Sequence, residues 1–217
     1  MIKVVIGEVL LYIGIFIAVF YLGMKVVRRF YKFPAPSFTR YFFDSRLRTI
    51  MQPSDEIVER SGIKKGMTVM DLGCGPGIYA IDVMRAVGDK GKVYAIDVQK
   101  TMMDRLKKKL KKPENKDAHN IIPIVASAHA LPVPDNSVDL VYMITVLAEI
   151  PDREKAFKEL HRILKDDGIL SVSEFFTDPD YPLRRTTKRW CESAEFKLKE
   201  SRGNIFNYTL QFEKSSE

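Results

Sequence analysis

The residues best placed to do chemistry lie in the run VMDLGCGPG at positions 69–77 and in Asp97, twenty residues beyond its last glycine. A short apolar strand runs into a turn with glycine at 73, 75 and 77, and the turn opens a helix. Glycines there remove side chains so that a ligand can lie against backbone, and a helix N-terminus offers amide donors to its polar groups. Asp97 closes the next strand, where a carboxylate can accept hydrogen bonds from both hydroxyls of a ribose. A dinucleotide would call for a third glycine at position 78, which is Ile78, so a pyrophosphate is disfavoured.

The elements that hold these residues alternate. Strands are predicted at 68–72, 92–97, 121–125, 138–144 and 168–175, and helices at 78–87, 101–112 and 154–164. That alternation implies a parallel sheet with helices on both faces. Segments 196–200 and 205–213, joined by the turn sequence SRGN, predict two antiparallel strands. The expected fold is α/β, a Rossmann-like sheet of seven strands, mostly parallel with a C-terminal antiparallel hairpin, preceded by one transmembrane helix.

The DLGCGPG run at 71–77 resembles the first motif, D-x-G-x-G-x-G, of the class I S-adenosylmethionine-dependent methyltransferases. AHALPVPDNSVD at 128–139 and the helix and turn over 150–168 are similar to two further segments of that family. The likeness covers about 66–175 and is specific to the branch of quinone, sterol, arsenite and other small-molecule methyltransferases. It implies that S-adenosyl-L-methionine is held by Asp71, Gly73, Cys74, Gly75 and Gly77, by Asp97 and Val98, by Ser127, Ala128 and His129, and by Met143. Ser127 stands where relatives often carry an acid for the adenine amino group, and its hydroxyl accepts that bond more weakly. Methyl transfer from a sulfonium needs alignment of the nucleophile and exclusion of water, with a base only if the acceptor loses a proton. The candidates at and after the end of the fourth strand are Tyr142, Thr145 and Glu149. His129 reads as a pocket wall, Glu174 resembles an acid found in quinone C-methyltransferases, and the lysines of 107–112 read as a solvated helix face.

The remaining composition narrows the setting. Among 217 residues, 35 basic against 28 acidic side chains give a net charge of +7, spread along the chain. Two cysteines and three scattered histidines show no metal-ligand spacing and no disulfide framework, so no metal is expected and a reduced compartment is. Residues 9–24 are sixteen without a charge, and with 4–8 the stretch would make a helix roughly 31 Å long. Glu8 lies one turn from its start, and Tyr12 and Tyr21 sit where interfacial aromatics occur. Basic residues follow at once with no cleavage site, which favours an anchor over a signal peptide. Lys25, Arg28, Arg29 and Lys32 outnumber Lys3, placing the rest of the chain in the cytoplasm.

Three parts are therefore expected: an anchor with its basic flank at 1–32, a connector and amphipathic segment at 33–65, and the catalytic domain at 66–217. Residues 37–51 read either as a basic helix at the membrane surface or as an ordinary helix packed on the domain. The leading expectation is a membrane-anchored methyltransferase acting on a small lipophilic acceptor, a quinone precursor or lipid, with no nucleic-acid partner and the oligomeric state open. Rival readings are a protein or peptide methyltransferase at the membrane, a thiol or metalloid methyltransferase, and a non-catalytic S-adenosylmethionine-binding module.

Overall fold

The computed structural model describes Glu8, Leu11, Tyr12, Gly14, Ile15, Phe16, Val19, Phe20, Gly23 and residues 52–178 and 180–215. From the first glycine-rich strand onward, β1 (Thr68–Leu72), β2 (Lys92–Asp97), β3 (Ile121–Val125), β4 (Val138–Ile144), β5 (Leu164–Phe175), β6 (Phe196–Gly203) and β7 (Asn207–Lys214) form one seven-stranded sheet. Its order is β3-β2-β1-β4-β5-β7-β6, with β7 antiparallel to both neighbours. The strands that line the middle are rich in Val, Ile, Met and Tyr, and they alternate faces with the period of two that a pleated strand imposes. Val141 and Met143 point into one core, Leu140, Tyr142 and Ile144 into the other.

Helices α1 (Ser54–Ser61), α2 (Ala80–Val87) and α3 (Lys100–Leu110) cover the second face through Ile57, Ile81, Met84, Met102 and Leu106. Helices α4 (Arg153–Ile163) and α5 (Arg184–Glu192) cover the first through Phe157, Leu160 and Cys191. Asp152 caps α4, its carboxylate accepting the Lys155 amide at 3.1 Å. The strand order reverses between β1 and β4, which opens a crevice at the carboxyl ends of these strands.

Several of the expected element boundaries shift. Helix α2 starts at Ala80 rather than 78, because residues 76–79 complete the glycine turn. Strand β5 starts at Leu164, four residues early, and recovers its register across a bulge between Val138 and Leu140 of its partner. Ser201, Arg202 and Gly203, expected in the turn, pair with Leu210, Thr209 and Tyr208, so the hairpin turn moves to residues 204–206. Helix α5 was not expected. Helix α1, within the connector assigned to 33–65, packs Ile57 and the following Ile63 into the core.

The amphipathic segment at 37–51 lies outside the described residues, as does most of the apolar run at 9–24. Among the described residues no helix is long and apolar enough to cross a membrane. Those described within the apolar run, including Leu11, Tyr12, Ile15, Phe16, Val19 and Phe20, are helical and exposed.

Candidate active site

The glycine turn is built by left-handed backbone, with φ of 79° at Gly73, 54° at Gly75 and 73° at Gly77. The three are not equivalent. A Cβ at Gly73 would stand 2.4 Å from a methyl of Val146, and one at Gly77 would stand 2.4 Å from a methyl of Leu106. At Gly75 it would meet nothing within 4 Å. Only Gly75 leaves open space for a ligand, while Gly73 and Gly77 let the turn sit tightly on its own protein neighbours.

Nor are the turn's amides waiting for a ligand, as the glycine pattern had suggested. Gly73 and Cys74 both donate to the Ile96 carbonyl, at 2.8 and 2.9 Å, and Gly77 donates to the Cys74 carbonyl at 3.0 Å. Gly75 donates to Asp97 Oδ2 at 2.9 Å, and Gln99 donates to Asp97 Oδ1 at 2.8 Å. The turn is thus fastened to the end of β2. Lys109 Nζ adds a bond to the Gly77 carbonyl at 2.7 Å, so one lysine of the run expected to be solvated is part of the turn's support.

Asp97 is buried, yet a carboxylate has about four lone-pair sites and these two bonds fill only two. Beside it Val98 is 68% exposed, apolar surface left uncovered at a strand end. Ser127 Oγ accepts the His129 amide at 3.2 Å and keeps its own proton to donate. His129 Nε2 is buried and has no hydrogen-bond partner among the described residues. An open bed at Gly75, spare acceptor capacity at Asp97, uncovered apolar surface and an unsatisfied ring nitrogen fit a ligand with ribose hydroxyls and a flat, polar-edged base.

Asp71, Cys74, Tyr142 and Met143 lie deeper. Tyr142 pairs in register with Asp71, and its phenol, wholly buried, is pushed above its ordinary range by burial first and then by the Asp71 carboxylate. Burial, with the charges of Asp71 and Asp97, likewise pushes the Cys74 thiol far up, so it stays protonated and is no nucleophile. Met143 is packed in the core against the β5 side. Tyr142 and Met143 are thus fully buried on opposite faces of β4, and Cys74 is buried in the same core as Tyr142. Ala128 is half-buried.

Thr145, one residue past β4, has φ of 56°, a costly conformation for a β-branched residue, and its amide donates to the Ser173 carbonyl at 2.9 Å. The kinked chain then forms the 3-10 turn Leu147–Glu149, on which Glu149 is half-buried. Thr145 and Glu149 thus stand at the crevice, next to Val146, which packs on Gly73.

Sequence reading missed the clamp on the 128–139 segment. Arg162 of α4 forks onto Glu159, with two bonds of 2.8 Å, and donates to the carbonyls of Leu131 and Val133 and to Asp135. Glu159 in turn accepts the Leu131 amide at 2.7 Å and is held below the usual carboxylate range chiefly by its bond from Arg162. A second missed group is Gln52, fully buried, which donates to Asn207 Oδ1 at 3.2 Å and lies 3.4 Å by its carbonyl from the Tyr79 hydroxyl.

The methyltransferase domain family matches residues 70–172, which hold the glycine turn, Asp97 and the clamped segment. Over that segment, just under half of its length, the chain is similar to the S-adenosylmethionine-dependent methyltransferases. It is 36% identical over 118 residues to a ubiquinone/menaquinone biosynthesis C-methyltransferase UbiE of Enterobacter and 35% identical to that of Escherichia coli. These matches cover 54% of this chain and 46% of the relatives, so the chain spans about half the length of the curated proteins it matches. The fold is similar to that of a SAM-dependent methyltransferase from Aquifex aeolicus, with a TM-score of 0.75 and 24% identity over 82% of this chain and 98% of that one. It is also similar to the cyclase SpnF, at 0.64 and 19% over 75% and 79%, so the fold by itself does not specify the reaction.

Proposed function

We propose that this chain, held at a membrane by its N-terminal apolar helix, transfers a methyl group from S-adenosylmethionine to a small lipophilic acceptor such as a quinone precursor. The observation that carries methyl transfer is the Gly75 bed fastened to Asp97, within the segment that matches the methyltransferase domain family. For the membrane, support comes from the uncharged run at 9–24 and from the exposed apolar side chains described within it. A tether of this kind confines the enzyme to the surface where a lipophilic acceptor partitions.

S-adenosylmethionine supplies a methyl on a sulfonium that is already electrophilic. The chain's own residues bind and align. Asp97 accepts the ribose hydroxyls, Val98, Ser127, Ala128 and His129 border the adenine, and Asp71 with the turn holds the methionine end. Thr145 fixes the backbone where β4 ends, and Glu149 holds the acceptor or takes its proton. Against a thiol or metalloid transferase stands the burial of Cys74 and Cys191, whose thiols are both pushed up. Against a mere binding module stands the presence of Asp97 and all three glycines.

Calorimetric titration of the detergent-solubilised chain with S-adenosylmethionine tests the cofactor site, with Asp97→Ala as the paired variant. Saturable binding lost in the variant supports the reading, and a folded wild type that binds nothing sinks it. Incorporation of labelled methyl into quinone-precursor and lipid extracts, compared with peptide extracts, then tests the acceptor class. Sedimentation with membranes that resists carbonate tests the anchor.

A further inference from the structure

Three large apolar side chains, Leu183 at 70%, Ile205 at 74% and Phe206 at 54% exposure, and the partly exposed Phe176 at 42%, lie beyond the carboxyl end of β5. They sit on a framed platform. Phe176 meets Phe206 edge-on at 5.5 Å and Tyr181 at 5.7 Å, and its amide donates to the Phe206 carbonyl at 2.7 Å. The Tyr181 hydroxyl donates to the Ile205 carbonyl. Asn204 Oδ1 accepts the amides of Phe206 and Asn207, and Arg184 donates to the carbonyls of Gly203 and Asn204 at 3.0 and 2.9 Å. The hairpin tip is therefore locked into presenting Ile205 and Phe206 outward.

Helix α5, whose first residue Arg184 bonds the hairpin tip, is basic. Helix α5 carries Arg184, Arg185, Lys188 and Arg189, and Arg185 and Arg189 are exposed with no ion pair among the described residues. Asp178 and Asp180 in the neighbouring loop are half-buried, Asp178 accepting the Asp180 amide. The chain arriving from the N-terminal segment also enters here, since Gln52 bonds Asn207, the residue after Phe206 and the register partner of Phe175. A second copy of this chain would bring like charges together, whereas aromatic and aliphatic side chains beside a helix with exposed arginines suit an anionic bilayer interface.

We propose that Phe176, Leu183, Ile205 and Phe206, with Arg185 and Arg189, form a second membrane contact that seats in an anionic lipid surface and turns the carboxyl ends of the strands toward it. This deepens the membrane reading above and rests on it. The platform sits at the end of the sheet where the crevice opens, so a lipophilic acceptor would pass from bilayer to crevice without crossing water.

The test uses the full chain with Ile205→Cys carrying an environment-sensitive fluorophore, the two native cysteines being buried. It is reconstituted with vesicles of phosphatidylcholine, alone or with phosphatidylglycerol. The expected result is a blue-shifted emission, quenched by spin-labelled lipid, on the anionic vesicles, and at least threefold less quenching when Arg185→Gln and Arg189→Gln are added. Emission that stays aqueous on both vesicle types overturns the contact, and so does a shift without lipid that grows with protein concentration, which would mean self-association. Carbonate-resistant sedimentation in the same samples separates the two readings. A sedimenting chain with a water-exposed label overturns only the platform, a carbonate-soluble chain with a shifted label overturns only the anchor, and failure of both overturns both.

Discussion

Alanine at each of the three turn glycines should separate the residues that bind from those that pack. All three have left-handed φ, which costs an alanine about 1 to 2 kcal/mol. At Gly75 that is the whole cost to folding, since the new methyl meets nothing within 4 Å. At Gly77 the methyl runs into Leu106, which is fully buried, and at Gly73 it runs into the stiff branched Val146. Overpacking of that kind adds about 1 to 3 kcal/mol, for a total of roughly 2 to 5 kcal/mol. For a domain of this size each kcal/mol lowers Tm by roughly 2 to 4 °C. Gly75→Ala is therefore expected to melt within about 8 °C of wild type yet bind S-adenosylmethionine at least tenfold more weakly, about 1.4 kcal/mol, because the methyl fills the open bed. Gly77→Ala should melt lower, and its loss combined with that of Leu106→Ala should be less than the sum of the two, since truncating Leu106 removes the clash. Melting by circular dichroism and titration calorimetry read the two quantities. If Gly75→Ala binds as wild type does, the space over Gly75 is not where the cofactor lies.

Tyr142→Phe should keep methyl transfer within about tenfold, or ~1.4 kcal/mol, since the phenol is buried and neutral, whereas Glu149→Gln should lose about a hundredfold or more in kcat if Glu149 takes a proton. Equal losses in the two would place Tyr142 in the chemistry after all. The Glu159 carboxylate, lowered by Arg162, stabilises the fold above its unfolded value of about 4.3 and ceases to do so as pH falls through its lower folded value. Acid unfolding followed by circular dichroism should therefore flatten below about pH 4 in Glu159→Gln. Arg162→Met should cost about 1.5 kcal/mol, the lower end for charged hydrogen bonds given its partial exposure, and a Tm equal to wild type would deny the clamp. Both cysteines should react with a thiol reagent only on unfolding, and a fast-reacting thiol in the native chain would contradict their burial.

The parallel strands were legible because buried strands read as apolar runs between helices of period 3.6, and the site was legible where spacing alone fixes geometry, as from the glycine turn to Asp97. Helix α5 escaped because only Thr187 and Cys191 of its nine residues are buried, too thin a stripe to show a period among arginines. Helix α1 buries only Ile57 and Ser61. What no spacing could show is where the turn's amides go, since that depends on how close the Ile96 carbonyl comes. Once those amides are spent on β2, Asp97 holds Gly75 in place with one oxygen, and under the proposed function its remaining lone pairs would accept the ribose hydroxyls. Loss of binding in Asp97→Ala then mixes a missing acceptor with a loosened turn. Asp97→Asn separates them, because its carboxamide oxygen can still accept one backbone amide while its NH2 group opposes the other donor. A variant that folds with wild-type Tm and still cannot bind assigns the loss to the ribose, and a fall in Tm matching the fall in affinity assigns it to the turn.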